Sequence, residues 1–331
     1  MLHLFRLVRL PNLLIIAITM AGVRYGVFQT IWLQGVQEMK LLGFEVNGLE
    51  LHMSFLHFLM LMISIMSIAA AGNIINDYFD IKTDRLNRPD KVVVGRVIKR
   101  RVAMALHLTL NGIGLIIALY LCYTVKSWKL IGIFVFSIAG LWFYSTHLKK
   151  QLLSGNILIS ALVALVPITV AVFEFSNNAA YDLNVLNLTI PGFGNSLLRK
   201  GAFIIIGYAI FAFLTNLIRE IVKDMEDVQG DIFIGARTLP IVLGEVRTKY
   251  FVLGIAIFTF ILLAFVQQFL WQFEYRLMFW YLLFFVQVPL VWFIVKLWKA
   301  WEKEQYAFAS LLCKVFIVGG VLSMFVYRFG A

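Results

Sequence analysis

Charge is scarce in this chain: 14% of its 331 residues are Asp, Glu, Lys or Arg, against roughly 25% in soluble proteins. Cysteine is limited to two residues and proline to six. Cys122 and Cys313 lie far apart within apolar runs, so they read as small core residues and not as a disulfide or a metal pair. The five histidines, His3, His52, His57, His107 and His147, form no ligand spacing such as HxxxH. No Pro/Gly-rich linker and no charge-rich tail divides the sequence, and one domain over 1–331 is expected.

What abounds is apolar: 61% of residues are hydrophobic and 15% are aromatic. A soluble domain of this size cannot hide that much apolar surface. A bilayer core about 30 Å thick needs a helix of about 20 residues to cross it. Apolar runs fall near 12–32, 53–75, 102–125, 128–147, 154–175, 201–219, 250–272, 277–298 and 306–328. They are longer than barrel strands and apolar on every side, so nine transmembrane helices are expected. The first run extends through Val27 with Arg24 inside it and meets no A-x-A site, so it reads as a retained helix and not a signal peptide. The segments Gln34–Glu50 and Ser176–Asn195 read as outer loops of low functional content.

The formal charge of +11 comes from 29 Lys+Arg and 18 Asp+Glu. In a membrane protein that excess reports topology and not nucleic-acid binding. With the N-terminus inside, twenty basic residues fall on inner segments and seven on outer ones. That bias predicts N-inside, C-outside insertion; the expected location is the cytoplasmic membrane of a prokaryote.

Half of the acids occupy two short inner segments, each following a helix that arrives from the same side. The first holds Asp77, Asp80, Asp84 and Asp90; the second holds Glu220, Asp224, Glu226, Asp227 and Asp231. At about 100° per residue, Asn76, Asp80 and Asp84 share a face about 80° wide, with Asp77 at about 100°. Glu220, Asp224, Asp227 and Asp231 fall within about 60°. Such stripes repel themselves. Local pairs, Asp84 with Arg88 and Glu220 or Asp227 with Lys223, account for a solvated helix but not for a pattern that recurs at two equivalent helix ends. A hard divalent cation on each stripe does account for it. Mg²⁺ keeps waters, takes one or two carboxylates and completes its shell with substrate phosphate. A lipid diphosphate at the lip of the helices, with its tail between them, is the expected substrate. A few of the aromatics would face the tail and stabilise an allylic cation.

NDYFDIKTDRLNRP at 76–89, REIVKDMEDVQGD at 219–231 and the nine spans together resemble the UbiA superfamily of intramembrane prenyltransferases. The resemblance covers nearly the whole chain and implies an all-α ring of nine helices around a central cavity, with a polar cap on the cytoplasmic side. The second motif and the Gly235-Ala236-Arg237-Thr238-Leu239-Pro240 that follows it are similar to the geranylgeranylglyceryl phosphate geranylgeranyltransferase branch. One stretch departs from that branch: Lys91-Val92-Val93-Val94-Gly95-Arg96 stands where an Arg-Pro-Ile-Pro-Ser-Gly-like sequence is common.

The resemblance implies transfer of a prenyl group, geranylgeranyl in this branch, from an isoprenyl diphosphate to a prenylglyceryl phosphate acceptor. An aromatic, quinone or pigment precursor is the alternative acceptor. Two Mg²⁺ ions would bridge the diphosphate, one on Asp80 and Asp84 oriented by Asn76. The other would sit on Asp224 and Asp227, joined by Glu220 or Asp231. Arg88, Lys91, Lys149, Arg219, Lys223 and Arg237 would bind phosphate oxygens. Tyr144 matches a family position near the cavity; as an interfacial belt residue it needs no such role. A transporter would carry its ionisable groups near the bilayer midplane, where this chain has only Arg24, Glu174 and Lys314. A phosphatidyltransferase would need a D-G-x-x-A-R motif, which is absent.

Overall fold

The computed structural model describes residues 2–43, 51, 53–87, 92–175 and 192–330. Among the described residues, nine helices are long and apolar enough to cross a bilayer. They are α1 (Leu10–Leu41), α2 (Phe55–Phe79), α3 (Arg100–Thr124), α4 (Trp128–Thr146), α5 (Ser154–Glu174), α6 (Phe193–Glu226), α7 (Glu245–Gln272), α8 (Arg276–Lys299) and α9 (Lys303–Gly330). No strand occurs among the described residues. Outside the cavity lining, Ile116, Phe258, Phe284, Trp298 and many other large hydrophobic residues are exposed, a surface compatible with hydrocarbon and not with water.

α1 departs from the expected boundaries. It continues through Gln34–Leu41 in place of the expected loop. The extension is amphipathic: Ile31, Gly35 and Met39 are buried while Gln37, Glu38 and Lys40 face out. A Cβ on Gly35 would stand 2.9 Å from Leu197, so the glycine lets α1 lie against α6. Similarly, α6 already begins at Phe193, within the segment read as an outer loop. The rest of that segment, 176–191, lies outside the described residues.

Two π-helical turns, Gly22–Phe28 in α1 and Leu283–Gln287 in α8, both lie against α9. Gly26 brings the first onto the Met324 backbone, and Gly319 lets the second approach through the Phe285 carbonyl. Each is a single-turn insertion of the kind that adjusts helix register at packed or functional positions.

The helices α5 and α6, α6 and α9, and α2 and α3 lie against one another along their lengths. Between α1, α2 and α4–α9 they leave a cavity of about 1020 Å³, mostly apolar in its walls. Ligand pockets commonly enclose about 300–1,000 Å³, so this one is large enough for a long apolar guest.

Candidate active site

Both acidic motifs sit at the same end of the cavity. α2 stops at Phe79, and the Asp80 amide caps it on the Asn76 carbonyl at 2.9 Å. The chain resumes as a short helix, Ile81–Asn87, whose Asp84 amide donates to the Asp80 carbonyl at 2.8 Å. The expected continuation is therefore helical, with a break at Asp80. α6 ends in the same way. Asp227 caps it on the Lys223 carbonyl, and a second short helix, Val228–Phe233, carries Asp231. The two short helices touch, which sets the two stripes face to face across the cavity mouth.

Asn76 and Tyr144 line that mouth, together with Arg219, Glu220 and Lys223. Lys149 reaches across from the end of α4 and pairs with Asp80. Arg219 donates to Glu220 at 2.6 Å, and Lys223 stands 3.4 Å from the other Glu220 oxygen. Glu220 is thus held by two cations, the local pairing expected for Lys223 with Arg219 added. Arg237 is exposed and outside the cavity lining; its amide bonds the Lys150 carbonyl at 2.8 Å, tying the second motif's tail to the Lys149 loop. Arg88 and Lys91 lie outside the described residues. Val93 and Val94, in the departing stretch, are buried in a small cluster with Leu7, Ile74 and Ala103. Gly95 there turns at φ +82°, a conformation that glycine adopts without strain.

Two residues of the site escaped the sequence reading. Asn156, buried in the first turn of α5, donates its Nδ2 to Asp224 Oδ2 at 2.7 Å. Arg9, counted above only for topology, lines the mouth and pairs with Asp77 at 2.8 Å. A lone Asn in an apolar run and an Arg before a first span carry no spacing signal. The only hint was that a buried Asn needs a partner.

Among the described residues, no three Asp, Glu, His or Cys side chains converge into a metal cage. Two observations fit a cation at this mouth. The Asn76 Oδ1 is buried without a hydrogen-bond partner, leaving an acceptor oxygen open. Burial, followed by the charges of Asp80 and Asp77, pushes the Asp84 carboxyl up to about 6. Burial, followed by the charges of Asp227 and Asp80, pushes Asp231 up to about 7. Carboxylates that resist ionising beside one another are stabilised by a shared positive charge.

The profile of the UbiA prenyltransferase family matches residues 48–326. The chain belongs to that family. It is an integral membrane protein of nine apolar helices among its described residues. Curated relatives include the digeranylgeranylglyceryl phosphate synthase of Thermococcus gammatolerans, 34% identical over 181 residues, which are 55% of each chain. The same enzyme of Methanothermobacter thermautotrophicus is 38% identical over 175 residues, covering 53% of this chain and 51% of the relative. The matched region thus spans about half the length of these relatives. A solved digeranylgeranylglyceryl phosphate synthase structure aligns over 99% of this chain and 98% of its own, with TM-score 0.59 and 21% identity. A UbiA homologue from Archaeoglobus fulgidus, bound to DMAPP and Mg²⁺, aligns over 97% and 98%, with TM-score 0.56 and 15% identity. At these identities the two structures establish the shared fold.

Proposed function

We propose that this UbiA family member is a Mg²⁺-dependent prenyltransferase that moves a geranylgeranyl group from its diphosphate to a prenylglyceryl phosphate, in ether-lipid synthesis. The observation that carries the reading is two acidic helix ends facing each other across the mouth of a long apolar cavity. The names of the curated relatives support the acceptor, and the DMAPP- and Mg²⁺-bound homologue supports the donor and the ion.

Asp80 and Asp84, with Asn76, would hold one ion; Asp224, Asp227 and Asp231 would hold the other. Bound there, Mg²⁺ supplies charge neutralisation for a leaving diphosphate. The chain's own groups do the remaining work. Lys149 is paired with Asp80, and Arg219 and Lys223 with Glu220. Cations on the carboxylates would leave Lys149, Arg219 and Lys223 to the phosphate oxygens. The apolar walls take the isoprenoid tail and keep water from its reacting carbon. The bond from the first prenyl carbon to the diphosphate oxygen breaks, and its electron pair leaves with the diphosphate. The acceptor hydroxyl oxygen bonds that carbon and gives its proton to the departing diphosphate. Tyr144, at the mouth, lies where its ring can face the developing allylic cation.

The start of α1 lies on the motif side, because Arg9 meets Asp77 there, and α9 ends on the opposite side. With the basic asymmetry, this supports motifs facing the cytoplasm. A cysteine at Lys129 should react with an impermeant thiol reagent on intact cells, and one at Gln229 should not; the reverse pattern would invert the topology.

The deciding assay gives purified protein geranylgeranyl diphosphate with either geranylgeranylglyceryl phosphate or 4-hydroxybenzoate. Product from the phosphate lipid, abolished by chelator, is expected. Product from the aromatic acceptor alone would replace the acceptor and leave the metal chemistry standing.

A further inference from the structure

The cavity mouth has two polar walls. On α6, Arg219 and Lys223 flank Glu220. Across from them, at the corner between α1 and α2, the lining holds Arg9, Asn12, Asn73 and Asn76. Asn76 belongs to the first acidic motif. Arg9, Asn12 and Asn73 have no part in the metal chemistry, yet they stand where a second substrate must meet the first.

The chain before α1 builds this corner. Leu7 is buried with Ile74, Val93, Val94 and Ala103, and Asn73 donates its Nδ2 to the Val8 carbonyl at 2.9 Å. Between these anchors and the helix, Arg9 takes the left-handed conformation, φ 54° and ψ 56°. That region is uncommon for a side chain of this size, and such strain persists where the surrounding structure enforces it, often at ligand sites. Asp77 then fixes the guanidinium, whose Nη2 donates to Oδ1 at 2.8 Å. This bond uses one corner of a planar fork of N–H donors, and the Arg9 side chain is 37% exposed. Arg9 can therefore hold an anion at the mouth without leaving Asp77.

Polarity changes in steps along this wall. Asn12 lies one turn into the membrane from Arg9, and Asn73 one turn from Asp77, so both amides stand about 5 Å beneath the ion pair. Deeper on the same helices the lining turns apolar, with Ile15 and Ile16 on α1 and Ile65 and Ile68 on α2. From the lip inward the order is cation, neutral amides, hydrocarbon. A prenylglyceryl phosphate carries the matching order: phosphate, glycerol hydroxyl, isoprenoid chain.

We propose that Arg9, Asn12 and Asn73 form the headgroup site of the acceptor, resting on the reading above that the acceptor is a prenylglyceryl phosphate. Arg9 takes the phosphate and the two amides take the hydroxyl. The Asn73 Nδ2 is committed to Val8, so its Oδ1 accepts the hydrogen bond of the hydroxyl, while Asn12 donates to the hydroxyl oxygen. That oxygen keeps a lone pair for the first prenyl carbon. An amide is too weak a base to take the proton, which passes to the departing diphosphate as above. With Arg219 and Lys223 on the diphosphate and Arg9 on the acceptor phosphate, each anion has its own cations.

The test measures binding to protein in phosphatidylcholine nanodiscs with Mg²⁺. The separate probes are geranylgeranylglyceryl phosphate, neutral geranylgeranylglycerol and geranylgeranyl diphosphate. Arg9→Gln should weaken the phosphate lipid at least about tenfold, the order expected for a lost charge-assisted hydrogen bond, and leave the neutral lipid and the diphosphate unchanged. Asn12→Leu and Asn73→Leu should each weaken both glycerol lipids together and spare the diphosphate. Retained diphosphate affinity also shows that a variant is folded with its motifs in place. Equal binding of the phosphate lipid by wild type and Arg9→Gln would overturn the site. A parallel loss of diphosphate affinity in any of the three variants would overturn it too, by moving this corner to the donor or to the scaffold. Wild-type protein that shows no preference for the phosphate lipid over the neutral one would overturn the acceptor reading, and this site with it.

Discussion

Arg24 and Glu174, at the end of the bundle away from the motifs, form a buried ion pair. They stand 3.0 Å apart with side chains 4% and 1% exposed. Arg24 also donates to the Met53 carbonyl, and its guanidinium lies 4.8 Å from the Phe58 ring centre. Asp84 and Asp231, at the motif end, are half-buried among other carboxylates. Both ends place charge in or beside hydrocarbon. One end pairs it within the protein, and the other sets Asp84 and Asp231 among neighbouring carboxylates at a cavity mouth. A sealed pair makes structure, whereas acids crowded beside one another at a mouth make a place for a cation.

Substitution separates the two roles most sharply. Asp80→Ala or Asp224→Ala should lower turnover by about 10²–10³-fold or more, the loss typical when a main transition-state charge stabiliser is removed. Thermal unfolding should barely move, because these groups lie on a polar lip. Arg24→Met or Glu174→Gln should do the reverse. Stranding one charge of a buried pair costs about 3–5 kcal/mol, visible as a large drop in unfolding temperature in detergent, while turnover per folded molecule persists. The double variant Arg24→Met with Glu174→Met should recover most of that stability. Full activity in Asp80→Ala, or collapse of activity without loss of stability in Glu174→Gln, would erase the distinction.

A smaller effect is expected one step from the ion. Asn156→Ala removes the amide that orients Asp224. Outer-shell losses of this kind typically cost 10–100-fold in metal affinity. Asn156→Ala should raise the Mg²⁺ concentration needed for half-maximal activity by that order and spare the unfolding temperature.

The mildest test is pH. A carboxyl whose folded value is raised favours its neutral form, so ionising it disfavours the folded chain. Without divalent ions, stability should fall as pH rises from the ordinary carboxyl range near 4 through about 6 for Asp84 and about 7 for Asp231. Ion binding needs the charged form, so Mg²⁺ affinity should climb over the same window. Unfolding temperature against pH, with and without Mg²⁺, reads both trends; parallel curves would contradict the assignment.

Most of this architecture could be read from the sequence because its signals are periodic. Twenty-residue apolar runs announce spanning helices, and carboxylates at i, i+4 announce a stripe. The reading failed where the signal is tertiary. Gln34, Gln37, Glu38 and Lys40 looked like loop because their polarity outweighed the Ile31, Gly35 and Met39 face, which acquires its meaning only against α6. Arg9 and Asn156 carry no local pattern; their roles come from partners 68 residues away in each case. The facing of the two motifs depends on contact between two short helices that no single-segment rule anticipates.

The central claim is that the opposed stripes hold a divalent cation together with a diphosphate. Calorimetric titration of geranylgeranyl diphosphate into detergent-purified protein tests it most directly, with Mg²⁺ and then with excess chelator. The account predicts saturable binding that requires Mg²⁺, lost in Asp80→Ala and in Asp224→Ala taken singly. Undiminished binding in chelator, or in either variant, would contradict it.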